Sequence, residues 1–197
     1  MSGNARRAAA ITIVILAAAS LAGCGTDGGT TAKTASLATT KSPVQLLRNE
    51  AAGRIPPAVI ESVTETEDLS KACLDEAEDP KGLSRSWYSS AQVLVENASA
   101  WRVDAVVDGV AQSFVDQGWL ARPLGGSATS RVILLSSETS PAEIQLSANR
   151  PDPDAAAPDA AATAETVDVT IDLSVHGPCV ATDGADSDAV KKLEGRS

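Results

Sequence analysis

The chain has 197 residues, with 26 acidic against 16 basic residues and a formal net charge of −10. Nucleic-acid phosphates and anionic lipid headgroups repel such a surface, so the composition argues against nucleic-acid binding. Once the N-terminal leader and tether described next are set aside, roughly 150 residues remain. That length suffices for one domain and is too short for a two-lobed solute receptor.

The N-terminus has the layout of a secretory signal. Arg6 and Arg7 precede an uncharged apolar run from Ala8 to about Ala19, which is shorter than the roughly 20 residues that a membrane-spanning helix needs. Leu21, Ala22, Gly23 and Cys24 then form a lipobox, in which small residues admit the peptide to the protease and the thiol accepts a diacylglyceryl group. We therefore predict that residues 1–23 are a lipoprotein signal peptide. The acylated Cys24 would anchor the mature chain to the extracytoplasmic face of the cell membrane.

The cleaved chain divides into three further parts. Residues 24–41 are rich in Gly, Thr, Ser and Ala and are predicted to form the lipidated cysteine and a flexible tether. Residues 42–182 are predicted to form one α+β domain, with a low-complexity Pro/Ala/Asp loop at 150–165. Residues 183–197 are expected to be a polar C-terminal tail.

The cysteine count indicates one disulfide. With Cys24 committed to lipid, Cys73 and Cys179 remain as an even pair in an oxidising compartment, and we expect them to pair. A free thiol pair or a metal site is the alternative, but two cysteines with the distant His176 make a poor ligand set.

The periodicity of the domain predicts two main helices and four strands. Helices are expected from Ser42, as cap, to near Gly53, and from Ala100 to Gln117 with Gly118 as the C-terminal cap. Strands are expected at 87–95, 131–137, 143–148 and 166–175, and a short helix at 57–63, while 65–84 is expected to be loop. The fold expected from this order is an α+β two-layer sandwich: an antiparallel sheet of about four strands with helices on one face and one disulfide.

The residues that could take part in chemistry are predicted to have structural roles. His176 is the only histidine and lies at a predicted strand end, where a polar structural residue is the expectation. Trp87, Trp101 and Trp119 flank the sheet and main helix and are predicted to pack in the core. Asn97 fits a glycosylation pattern but is interpreted as a helix cap. The acidic run 183–188 lacks a calcium-loop pattern, so no metal, cofactor or catalytic residue is predicted.

Four features together resemble the small cell-envelope lipoproteins of high-GC Gram-positive bacteria, a group with little assigned function. They are the lipobox ending at Cys24, Cys73 before the first strand, the helix ending in Gly118-Trp119, and the closing strand ending in Gly177-Pro178-Cys179. The resemblance implies envelope location and fold, and it transfers no catalytic residue.

Three functions remain open from the sequence. The leading hypothesis is a non-enzymatic binding or scaffolding domain at the envelope, with a protein or small-molecule partner that the sequence does not identify. The alternative is a carrier of a lipid or small hydrophobic ligand, similar to the mycobacterial lipid-binding lipoproteins, with a cavity between helix and sheet. A hydrolase would need an acidic pair or a site centred on His176.

Overall fold

The structure is a computed structural model that describes residues 35–96, 102–127, 129–150 and 169–196. Within these ranges lie three α-helices and seven β-strands. The helices are α1 (Leu37–Gly53), α2 (Val103–Val115) and α3 (Asp188–Leu193); the strands are β1 (Ile60–Ala72), β2 (Ser84–Val95), β3 (Leu120–Ser127), β4 (Ser130–Ser137), β5 (Ser140–Asn149), β6 (Thr170–His176) and β7 (Val180–Ala181).

The described strands form a single antiparallel sheet in the order β1-β2-β6-β5-β4-β3, with β7 pairing the start of β2. The expected sandwich on a sheet of about four strands is therefore wrong, because the described part of the chain builds a seven-stranded sheet. The three additional strands are the two-residue β7 and the two edge strands of the sheet, β1 and β3. Neither edge strand has the apolar alternation by which sequence periodicity recognises a half-buried strand.

One face of the sheet carries the core. Inward residues alternate along β2, β5 and β6, and their side chains lie under α1 and α2. The largest fully buried side chains include Trp87, Phe114, Leu135, Ile144, Leu146, Ile171 and Leu173. The apolar stripe of α2 contributes Val103, Val107, Val110 and Phe114 to this core, as its spacing predicts.

The first helix begins earlier than expected. Ser36 caps α1 through a reciprocal pair of hydrogen bonds with Thr39, so residues 37–41, expected in the tether, are helical, and Pro43 lies inside the helix. Leu37 is only 4% exposed. Burial of that side chain in the core stabilises the additional turn.

Two segments differ in structure from the prediction. The predicted helix at 57–63 is a single 3-10 turn, Pro57–Val59, followed by β1, and residues 65–72 of the predicted loop 65–84 belong to β1. Pairing with β2 over the whole length of β1 overrides the weak strand propensity of its acidic residues. β3 contains Pro123 and a bulge next to Gly125, and both residue types weaken the strand signal of a sequence.

The predicted polar tail is partly folded. Ser187 caps α3, and Val190 is buried against the domain. The side chain of Glu194 accepts hydrogen bonds from the backbone N–H (3.0 Å) and the hydroxyl (2.5 Å) of Ser70. Arg85 donates to the same hydroxyl at 2.7 Å and to the Ser70 carbonyl at 2.8 Å. This buried network fastens the C-terminus to β1.

A disulfide bond forms a second link at the end of β1. Cys73 and Cys179 are bonded, with their Cα atoms 6.1 Å apart, and they link the end of β1 to the segment between β6 and β7.

No helix in the described residues combines the length and the hydropathy needed to cross a membrane. The predicted low-complexity loop, apart from Arg150, lies outside the described residues.

Candidate functional site

The outer face of the sheet carries a depression that we call the polar trough. Its volume is about 320 Å³, and its lining comes from β1, β2, β5 and β6. The residues that line it are Glu67, Tyr88, Ser90, Ala91, Gln92, Gln145, Ser147, Asp172, Leu173 and Ser174. The trough exists because α1 and α2 contact the sheet through its apolar side chains, so the alternate polar residues point the other way.

Strand register explains the shape of the trough. Ser90 on β2 lies opposite Ser174 on β6, and Ser174 lies opposite Gln145 on β5. On one side of this row, Tyr88 pairs with His176; on the other, Gln92 pairs with Asp172. Short serine side chains between longer ones produce a floor of hydroxyl groups with two raised ends.

Asp172 is the most restrained group at one end. Gln92 donates to its Oδ1 at 2.8 Å, and Asn149 donates to its Oδ2. The two amides come from the strands on either side of β6, so the carboxylate is held at the centre of the sheet. An oriented carboxylate of this kind is a strong acceptor for ligand hydroxyl or amide donors.

Tyr88 dominates the opposite end. Its ring meets the His176 ring edge-on with centroids 4.7 Å apart, and the Lys71 amino group lies 3.2 Å from the Tyr88 ring centroid. Lys71 also pairs with Glu67 at 3.5 Å. Tyr88 therefore has a fixed orientation and presents a partly buried ring at the trough.

His176 is placed at the strand end that the sequence predicts, beside the trough. Burial lowers the pKa of His176, the positive charge of Lys71 lowers it further, and Glu143 opposes both effects. The imidazole is thus neutral at pH 7. Asp172 accepts from Gln92 and Asn149 and lies four residues before His176 on the extended strand β6, so the structure does not bring His176 and Asp172 into a direct pair.

A second cleft, of about 620 Å³, lies beside the disulfide between residues 72–85 and 183–187. Hydrogen bonds from the backbone N–H groups of Leu83 and Ser84 hold the pKa of Asp79 below its usual value, and Ser84 N lies 2.7 Å from Asp79 Oδ2. Within the described ranges, no three side chains of metal-binding type come together. The acidic run 183–188 instead forms the turn that leads into α3.

The tryptophans that the structure describes pack in the domain. Trp87 is fully buried and donates its Nε1–H to Asp68 at 2.6 Å. Trp119 is partly buried and packs edge-on against Phe114 at 5.4 Å. Trp101, Asn97 and Cys24 lie outside the described residues.

A third cavity is a groove of about 500 Å³ between α1 and the start of β5, with Pro178 also in its lining. Its lining shares no residue with that of the polar trough. We call it the α1 groove; its apolar lining is Ala35, Pro43, Val44, Leu46, Leu47, Pro141, Ala142 and Pro178.

The trough residues were not found from the sequence. Their only signal is polar alternation in β2, β5 and β6, which predicts solvent exposure just as well. Gln92 and Asp172 are 80 residues apart in sequence. Their meeting depends on the β2–β6 pairing, which one sequence does not specify.

Comparison with known proteins gives one distant likeness. No known protein family matches the chain, and no curated protein matches it. Among solved structures, the chain is similar to the candidate lipoprotein LppA from Mycobacterium tuberculosis, at 11% identity over 82% of this chain and 80% of that one, with a TM-score of 0.31.

Proposed function

We propose that this chain is an extracytoplasmic lipoprotein, anchored through acylated Cys24, whose domain is a non-enzymatic binding module that uses the polar trough. The anchor is supported by the charged, apolar and lipobox segments of residues 6–24. An oxidising compartment is consistent with the Cys73–Cys179 bond.

One observation carries the binding role: the two faces of the sheet differ completely. Helices cover the apolar face, whereas the polar face has a trough over four strands that no described element covers. A sheet face needed only for solubility requires no depression and no oriented carboxylate at its centre. Several polar groups converging on a concave surface are the usual arrangement of a ligand site.

The chemistry of the trough favours a ligand rich in hydroxyl and amide groups. The floor offers serine hydroxyls, one end offers the Asp172 carboxylate, and the other offers the Tyr88 ring. Glycan strands of the cell wall have hydroxyl and amide groups and apolar ring faces, and they lie within reach of an envelope lipoprotein. We therefore propose cell-wall glycan as the ligand class.

The carrier alternative needs a cavity between helix and sheet. In the described residues, buried side chains such as Val107, Phe114 and Ile144 occupy that space. The core beneath α2 therefore does not favour a carrier of that design.

Co-sedimentation with purified, lipid-free cell-wall sacculi tests the proposal. Detergent-solubilised mature protein is expected to sediment with the sacculi. Asp172→Asn should weaken binding about tenfold, because it removes a charged acceptor and places a donor against Gln92. Ser174→Leu, which fills the trough floor, should do the same.

Asp116→Asn is the matched control. At the C-cap of α2, the exposed Asp116 accepts from Gln112 at 2.8 Å, the same donor type and distance as Gln92 with Asp172, but away from the trough. Binding by this variant should equal that of the wild type. If the wild type and the three variants sediment to the same extent, or if no protein sediments with the sacculi, the trough is ruled out as a glycan site.

A further inference from the structure

The α1 groove is a second surface with the opposite chemistry to the polar trough. Leu46 and Leu47 of α1 form one side, and Pro141, Ala142 and Pro178 form the other. Leu46 is 68% exposed, more than any other large apolar side chain among the described residues.

Eight of the twelve residues that line the groove are apolar; the polar four are Thr39, Thr40, Ser140 and Glu50, and the Glu50 carboxylate pairs with Arg54. Proline has no backbone N–H, so Pro43, Pro141 and Pro178 present only carbon surface and carbonyl groups along its length. Its volume of about 500 Å³ lies within the usual range for sites that enclose a small ligand. The lining therefore fits a narrow, apolar molecule.

The position of the groove in the chain indicates the source of that molecule. Ala35, which lines the groove, is eleven residues after Cys24, so the connecting chain spans at most roughly 40 Å when fully extended. Residues 25–34 read GTDGGTTAKT and contain no large apolar side chain that could fill the groove. A membrane to which Cys24 is anchored would bring acyl chains within that distance of the groove.

We propose that the α1 groove holds one acyl chain of a phospholipid from the membrane to which the protein is anchored. The proposal rests on the anchoring at Cys24 proposed above. It is independent of the polar trough. The occupied groove would hold the domain against the bilayer by its α1 side.

Photo-crosslinking in vesicles tests this. The mature full-length lipoprotein is reconstituted into phosphatidylcholine–phosphatidylglycerol vesicles in which some phosphatidylglycerol carries a diazirine on its acyl chain, and labelled peptides are mapped after illumination. The label is supplied with the vesicles, so acyl chains on Cys24 itself stay unlabelled. Peptides covering 37–53 and 138–149 should carry the label.

Two leucine variants make the test specific. Leu46→Glu should reduce labelling of these peptides at least tenfold. Leu120→Glu, on β3 and with a similar exposure of 64%, should leave it unchanged. Both side chains are exposed, so both variants should fold, and thermal unfolding checks this. Label distributed equally over β3, or insensitivity to Leu46→Glu, would overturn the proposal.

The mass of the Cys24 peptide keeps the two proposals apart. If Cys24 is acylated and the protein stays with the vesicles while the groove is unlabelled, the anchor stands and the groove proposal fails. If Cys24 is not acylated, the anchor fails, and with it the groove proposal.

Discussion

The Cys73–Cys179 bond allows a quantitative prediction. It closes a loop with a sequence separation of 106, for which the chain-entropy relation gives about 5 kcal/mol of stabilisation. Cys73 is half-buried and Cys179 is exposed, so replacing both by serine leaves no large cavity. The double variant therefore isolates the effect of the cross-link on the free energy of unfolding.

Urea unfolding monitored by tryptophan fluorescence is the assay, since Trp87 is fully buried in the native state. With a slope near 2 kcal/mol per molar urea, the midpoint of the Cys73→Ser/Cys179→Ser variant should fall by about 2.5 M. The wild type treated with dithiothreitol should unfold at the same midpoint, and the reductant should not affect the variant. A loss below about 1 kcal/mol would refute the reasoning.

Four further substitutions test the packing and the hydrogen bonds of the C-terminus. Phe114→Ala should cost about 3–5 kcal/mol in chemical denaturation, because the ring is fully buried between Arg54 and Trp119. Gly177→Ala should cost about 1–3 kcal/mol, since its Cβ would lie 2.9 Å from Val44 Cγ2. Gly109 is exposed and has nothing within 4 Å of an added Cβ, so Gly109→Ala should stabilise α2 by about 1 kcal/mol. Equal effects of the two substitutions on the free energy of unfolding would contradict this. Burial raises the pKa of Glu194, but hydrogen bonds from Ser70 and Arg196 outweigh burial and lower the pKa overall. The stability that this carboxylate contributes is therefore present above pH 4.5 and should be lost on acidification below it. Glu194→Gln should flatten this pH dependence of the melting temperature.

Local patterns predicted the parts of the fold that bury one side of a regular element. Val103, Val107, Val110 and Phe114 recur at helical spacing and form the buried stripe of α2. Gly118, which is expected to end that helix, has a φ of 89°, a backbone conformation that is unfavourable for residues with a side chain. The alternation of apolar and polar residues in β6 likewise predicted which side chains face the core: Ile171, Leu173 and Val175.

The elements that the sequence did not reveal depend on distant partners. β1 is rich in acidic residues and is a strand because β2 pairs with it along its whole length. α3 is short and polar, and its attachment to the domain depends on Glu194 meeting Ser70, 124 residues away in sequence. The polar trough also forms only when β2, β5 and β6 are aligned.

Mass spectrometry of the mature protein extracted from membranes tests the central claim most directly. The account predicts a chain that begins at Cys24 and carries a diacylglyceryl group, with the Cys73–Cys179 bond intact. A mature chain that begins elsewhere, or an unmodified Cys24 thiol, would contradict it.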